Sequence, residues 1–270
     1  MGAKKEVEKK CYDSTKEYVN KYISRKQREY FLSLFPINSL VAVPNERPDF
    51  IADSKECSYL IEHFMIDFCY DGPKNNQSQS KRAGRGFHDI FEKYHDPSVG
   101  TIKDENLKNA TDEIEKAVNS LSNISNQFDY DKFIRRLNEV FKAHRDNIGE
   151  YINNNEVNSS NYKVIFLIEF HCETCLLRAH YKGVEVSFAG AKRAFPITRD
   201  FIKLFENSKE IDYIILSQFD EGIPTEARDV KIFDTKNIEE SICRQKITVY
   251  DKVSYLNITR KTVIKLEDNK

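Results

Sequence analysis

The chain has 270 residues, enough for one large domain or two small ones, and its 40% apolar content still permits a substantial core. Its 42 basic and 43 acidic side chains nearly cancel, which excludes a global basic field of the kind that drives non-specific binding to nucleic acid, though not a local groove. No apolar run approaches the length of a membrane span. The start is polar and rich in Lys and Glu, and the six cysteines (Cys11, Cys57, Cys69, Cys172, Cys175 and Cys243) are scattered, so they read as reduced thiols of a cytoplasmic protein.

In chain order, Lys4 to Phe35 has neither Gly nor Pro and is expected to be helical, with Pro36 ending it. Its apolar residues become denser towards Tyr30–Phe35, so that half is the part expected to pack. Leu40 to Val43 predicts a short first strand. Arg47 to Asp67 then predicts a hairpin: Ile51-Ala52-Asp53, a polar turn over Ser54–Cys57, and a strongly apolar strand from Tyr59 to Ile66. Strand alternation puts Leu60, Glu62, Phe64 and Ile66 on one face, and Ile61, His63 and Met65 on the other.

A carboxylate inside an apolar strand needs a partner, because burying it unpaired costs several kcal/mol at least. Asp49, at the base of the first hairpin strand, and Glu62, in the second, would then lie side by side. Such a pair suits Mg²⁺ or Mn²⁺, since a hard cation takes one or two protein carboxylates and completes its shell with water and phosphate oxygens. The alternative is an ordinary ion pair between Glu62 and a nearby Lys or Arg.

Residues 67–86 are polar, with Lys74, Lys81, Arg82 and Arg85 exceeding the acids, and read as a loop running into a helix. Phe87–Tyr94 begins a helix that breaks at Asp96-Pro97. Asp104 to Ile152 has apolar residues at spacings of three and four, which predicts two or three amphipathic helices; Arg135, Arg136, Lys142 and Arg145 give the last a basic face. A polar linker over 153–161 follows. Lys163–Phe170 is a continuous apolar run of the kind found in a central strand, with Glu169 near its end. Thr198–Phe205 predicts a helix and Ile211–Leu216 another buried strand. Val230–Phe233 and the region Lys246–Ile264 complete or cap the sheet.

His171, Cys172, Cys175 and His180 are ligand types that zinc accepts, but no second matching pair follows, so core or turn thiols are the simpler reading. His63 reads as a packed or hydrogen-bonded histidine.

The segment from about 25 to 95 resembles the PD-(D/E)XK nuclease superfamily, whose core is a helix bearing Glu, then a hairpin carrying Pro-Asp and later Glu-x-Lys. Pro48-Asp49 matches the first half. Glu62-His63-Phe64 matches the second in part, with Phe64 where the Lys belongs. The resemblance implies a restriction-endonuclease-like α/β fold, a mixed sheet flanked by helices with a helical insertion at about 78–152, and a division into an N-terminal helical region (1–36) and a nuclease-like domain (37–270). It implies metal-dependent hydrolysis of nucleic acid, DNA in the first instance, with Asp49 and Glu62 holding Mg²⁺ or Mn²⁺ and Glu29 as the first-helix acid. Glu29 is equally a solvated charge among Arg25, Lys26 and Arg28. Because Phe64 can neither activate water nor offset phosphate charge, the resemblance also implies either a relocated cation (Lys81 first, with Lys74 and Arg82 as alternatives) or a catalytically silent binding or assembly module. A homodimer stays open as a partner arrangement.

Overall fold

The computed structural model describes residues 3–67, 90, 93–96, 101–102, 104–127, 130–153, 161–171, 177–187, 196–218 and 228–255. The leading helical stretch is two helices: α1 (Ala3–Lys21) and α2 (Arg25–Leu34). The stretch expected to be helical is helical on both sides of a division at Ser24. Its hydroxyl accepts from the Gln27 backbone N–H, and the Gln27 side chain accepts from the Ser24 N–H, a capping box that starts a new helix in a new direction. Pro36 follows the end of α2, as expected.

Next come β1 (Val43–Pro44), β2 (Phe50–Asp53) and β3 (Ser58–Asp67). The Leu40–Val43 strand is reduced to its last residue, and Val41 and Val43 point into solvent. The β2–β3 turn is tied by Ser54, whose hydroxyl accepts from the Cys57 N–H at 3.0 Å while its backbone N–H donates to the Cys57 carbonyl at 2.9 Å. The next elements are β4 (His95–Asp96), β5 (Thr101–Ile102), α3 (Asp104–Gln127), α4 (Tyr130–Arg145) and α5 (Ile148–Asn153). They are followed by β6 (Tyr162–His171), β7 (Leu177–Tyr181), β8 (Val184–Ser187), β9 (Ile197–Thr198), α6 (Arg199–Glu206), β10 (Tyr213–Gln218) and β11 (Val230–Asp234). The last described elements are α7 (Ile238–Gln245), β12 (Val249–Tyr250) and β13 (Lys252–Tyr255).

The main sheet is mixed, in the order β1-β2-β3-β6-β10-β11. β1, β2 and β3 form an antiparallel meander, β3, β6 and β10 are mutually parallel, and β11 returns antiparallel to β10. β3 and β6 pair over ten positions, from Ser58↔Tyr162 to Asp67↔His171. This is the α/β class read from the sequence, with strands where the runs at 40–66 and 163–235 place them. Among the described residues after Lys246, none joins this sheet: β13 pairs with β7 in a separate three-stranded sheet, and β12 pairs with β9.

Each face of the main sheet is covered by helices, which is why β6 is apolar on both sides. On one face Leu60, Phe64, Ile66, Phe166, Ile168 and Leu216 pack against Phe133, Leu137 and Phe141 of α4, Tyr151 of α5 and Phe201 and Phe205 of α6. On the other, Phe50, Tyr59, Ile61, Ile165, Leu167 and Ile215 pack against Cys11, Tyr12 and Val19 of α1 and Phe31 of α2. The alternation expected along β3 therefore holds. Met65 alone on its face is half-exposed, because β2 pairs only as far as Ile61.

Candidate functional site

The β2–β3 register pairs Phe50 with Ile61. Asp49 lies one residue before this pairing begins, and both Asp49 and Glu62 act on the phenol of Tyr151 in α5. β2 ends here, so the next backbone donor of β3 has no strand to pair with; Asp49 supplies the acceptor, its Oδ2 lying 2.8 Å from the His63 N–H. Asp49 and Glu62 are 6% and 8% exposed, so both carboxylates are largely removed from water.

Glu62 Oε1 lies 2.7 Å from His144 Nδ1, at the end of α4. Its second oxygen, Oε2, is buried, and the Tyr151 phenol approaches the Glu62 carboxylate. The Tyr151 hydroxyl is near but donates to the His144 carbonyl at 3.1 Å. Burial first, then the Glu62 carboxylate and Asp49, hold the Tyr151 phenol well above the usual tyrosine range, so it stays a neutral donor. Arg47 also feels the Glu62 charge, while its guanidinium pairs at the surface with Glu150.

Phe64, at the position the resemblance reserves for Lys, lies flat on the His144 ring and meets Phe141 and Phe166 edge-on. His144 was not picked out in the sequence. The signal was present: Phe133, Leu137, Phe141 and His144 continue one stripe at spacings of four, four and three, so a histidine ends an otherwise buried face.

Glu29 is not brought to this pair. It lies on α2, in the layer on the opposite face of the sheet, exposed and ion-paired with Arg25 at 2.7 Å. Lys74, Lys81 and Arg82 lie outside the described residues. Of the basic face on α4, Arg145 pairs with Glu210 at 3.2 Å and Arg136 with Glu139 at 3.4 Å.

A second polar cluster lies on the α1 side of the sheet. His63 Nε2 is 2.8 Å from Glu169 Oε2, and both side chains are buried. With Cys11 they form the group of three His, Cys, Asp or Glu donors that, among the described residues, come within 4.8 Å of one another. Burial first, then the Glu169 carboxylate, push the Cys11 thiol well up from its usual range. A nucleophilic cysteine needs exposure and a lowered pKa; Cys11 has neither. Of the earlier zinc-type residues, Cys172 and Cys175 lie outside the described residues, and His180 Nε2 is 3.2 Å from Ser254 Oγ.

The chain matches no family model, no curated protein and no solved structure. Among the described residues no helix is long and apolar enough to cross a membrane.

Proposed function

We propose that the chain is a metal-dependent nuclease of PD-(D/E)XK type, hydrolysing phosphodiester bonds in nucleic acid, DNA in the first instance. The observation that carries this reading is that Asp49 and Glu62 are both buried and both act on the Tyr151 phenol, with Asp49 Oδ2 accepting from the N–H of His63, the residue after Glu62. The order of helix α2, meander β1–β3, helices, then parallel β6 supports the restriction-endonuclease-like form of the fold. Two buried carboxylates are the complement Mg²⁺ or Mn²⁺ takes when water and phosphate fill the rest of its shell. Bound there, the cation would supply Lewis-acid polarisation of the phosphate and a more acidic water.

The chain's own groups do the rest. Asp49 and Glu62 hold the cation. His144 is fixed at Nδ1 by Glu62 and across its ring by Phe64, leaving Nε2 to hold or move a proton of the attacking water in place of the missing Lys. Tyr151 keeps a neutral hydroxyl beside the carboxylates. Lys81 offsets charge gathering on the phosphate.

The test is Mg²⁺- or Mn²⁺-dependent cleavage of supercoiled plasmid and of single-stranded DNA by wild type, Asp49→Asn and Glu62→Gln. Cleavage by wild type alone is expected. DNA binding without cleavage under either metal would replace the nuclease with a silent binding module, and neither binding nor cleavage would remove nucleic acid as the partner.

A further inference from the structure

The Cys11, His63 and Glu169 cluster is on the opposite face of the sheet from Glu62 and plays no part in the reading above. Its donors come from α1, β3 and β6, so the contact joins the first helix to the two central strands. β3 and β6 are paired along their whole length, which fixes His63 and Glu169 relative to each other. Thr15, one turn after Cys11, closes the surroundings: its hydroxyl donates to the Cys11 carbonyl at 2.8 Å and shares a hydrogen bond with Ser217 Oγ at 2.7 Å, and Ser217 pairs across from Glu169 on β10.

We infer that Cys11, His63 and Glu169 form a structural site for a zinc-class divalent ion, which pins α1 to the centre of the sheet. Thiolate, imidazole and carboxylate are the three donor types zinc takes from proteins, with bonds of about 2.0–2.3 Å. Tetrahedral bonds of that length put neighbouring donors roughly 3.3–3.6 Å apart. All three donor atoms already lie within 4.8 Å of one another, and the His63–Glu169 pair at 2.8 Å needs to open by less than about 1 Å. The balance of charge agrees: a divalent cation with one thiolate, one carboxylate and a neutral imidazole is neutral overall, which suits a water-excluded site. Complete burial of Cys11 and near-complete burial of Glu169 mark a closed site loaded during folding rather than an open catalytic one. The fourth position falls to a further protein oxygen, and the Ser217 and Thr15 hydroxyls both reach the Cys11 thiol.

The experiment uses the full chain, purified in reductant, stripped with chelator and titrated with Co²⁺. One equivalent per chain is expected, with thiolate-to-cobalt charge-transfer absorption and the visible bands of a four-coordinate ion, both displaced by Zn²⁺. Cys11→Ser removes the charge-transfer band and Glu169→Gln weakens binding at least ~10-fold. Cys172→Ser/Cys175→Ser and Glu62→Gln leave band and affinity unchanged, which separates this site from the CxxC pair and from the proposed nuclease centre. Should Cys11→Ser fail to fold, zinc-edge X-ray absorption of the wild type decides: one sulfur with nitrogen and oxygen neighbours is expected. A folded wild type without a thiolate band, a shell with no sulfur or with several, or a band kept in Cys11→Ser and lost in the Cys172/Cys175 variant would overturn the site.

Discussion

Phe64 and His144 are stacked with ring centroids 4.3 Å apart and planes 10° apart. A strand residue thereby orients a helix residue, which in turn holds Glu62. Phe64, where the resemblance places a Lys, is the surface on which the His144 imidazole is laid. Phe64→Leu keeps the site apolar but removes the flat face, so it should fold, lose about 1 kcal/mol or somewhat more, and cleave more slowly with little change in KM. Phe64→Ala should cost about 3–5 kcal/mol in urea unfolding. His144→Gln should lower kcat about 10²–10⁴-fold if the ring carries a proton; unchanged kcat in a folded His144→Gln would leave His144 a packing residue.

Cation uptake at Asp49 and Glu62 has a readout that needs no substrate. A ligand at 100 times its Kd that binds only the folded state stabilises it by about 2.7 kcal/mol. Saturating Mn²⁺ should therefore raise the Tm of wild type, and the rise should vanish in Glu62→Gln and Asp49→Asn. To keep the proposed cysteine site from contributing, the comparison is made in Cys11→Ser as well. An equal Mn²⁺ shift in Glu62→Gln would place the ion elsewhere.

The outer edge of β11 is met by two side chains of α7: Ser241 Oγ accepts from the Asp234 N–H at 2.9 Å, and Gln245 serves Ile232. Gln245 of α7 accepts from the Ile232 N–H at 3.0 Å, and its amide nitrogen donates to the Ile232 carbonyl, so it serves the strand as a neighbouring backbone would. Gln245→Leu leaves two buried backbone groups without partners, each costing about 1–3 kcal/mol. Its urea midpoint should fall accordingly, and Gln245→Glu should fall too, because a carboxylate cannot donate to the carbonyl. The bare edge should also make Gln245→Leu more prone to self-association, visible by light scattering.

What could be read in the sequence follows the range of the interaction involved. The period of two along β3 and the short turn before it made the alternation of faces legible, because both are local to one hairpin. The break at Ser24 is as local, written in the capping pair Ser24-x-x-Gln27. His63–Glu169 and Glu62–His144 are different in kind. They join residues 106 and 82 positions apart, and depend on the parallel β3–β6 register and on where α4 ends against the sheet, neither of which leaves a local pattern. Glu29 shows the converse: its spacing to Asp49 suited the resemblance, but α2 packs in the layer on the opposite face of the sheet.

The phenols of Tyr12, Tyr18, Tyr130 and Tyr151 are all pushed well above the ordinary tyrosine value of 10.0, each by burial first. Acidic neighbours add to the effect: Asp13 for Tyr12, Asp229 for Tyr18 and Glu62 for Tyr151. Below pH 10 these groups are neutral in both folded and unfolded chains, so their contribution is fully present. Above it the unfolded chain releases protons that the folded chain retains, and stability falls as pH rises through the folded values. Each phenol contributes a slope of about 1.4 kcal/mol per pH unit. Alkaline unfolding followed by circular dichroism should therefore coincide with a step of tyrosinate absorbance, and Tyr151→Phe should flatten the slope by one such increment while losing about 1 kcal/mol at neutral pH with the hydrogen bond to His144. If all the tyrosines ionise near pH 10 while the dichroism stays native, these four side chains are not buried as described.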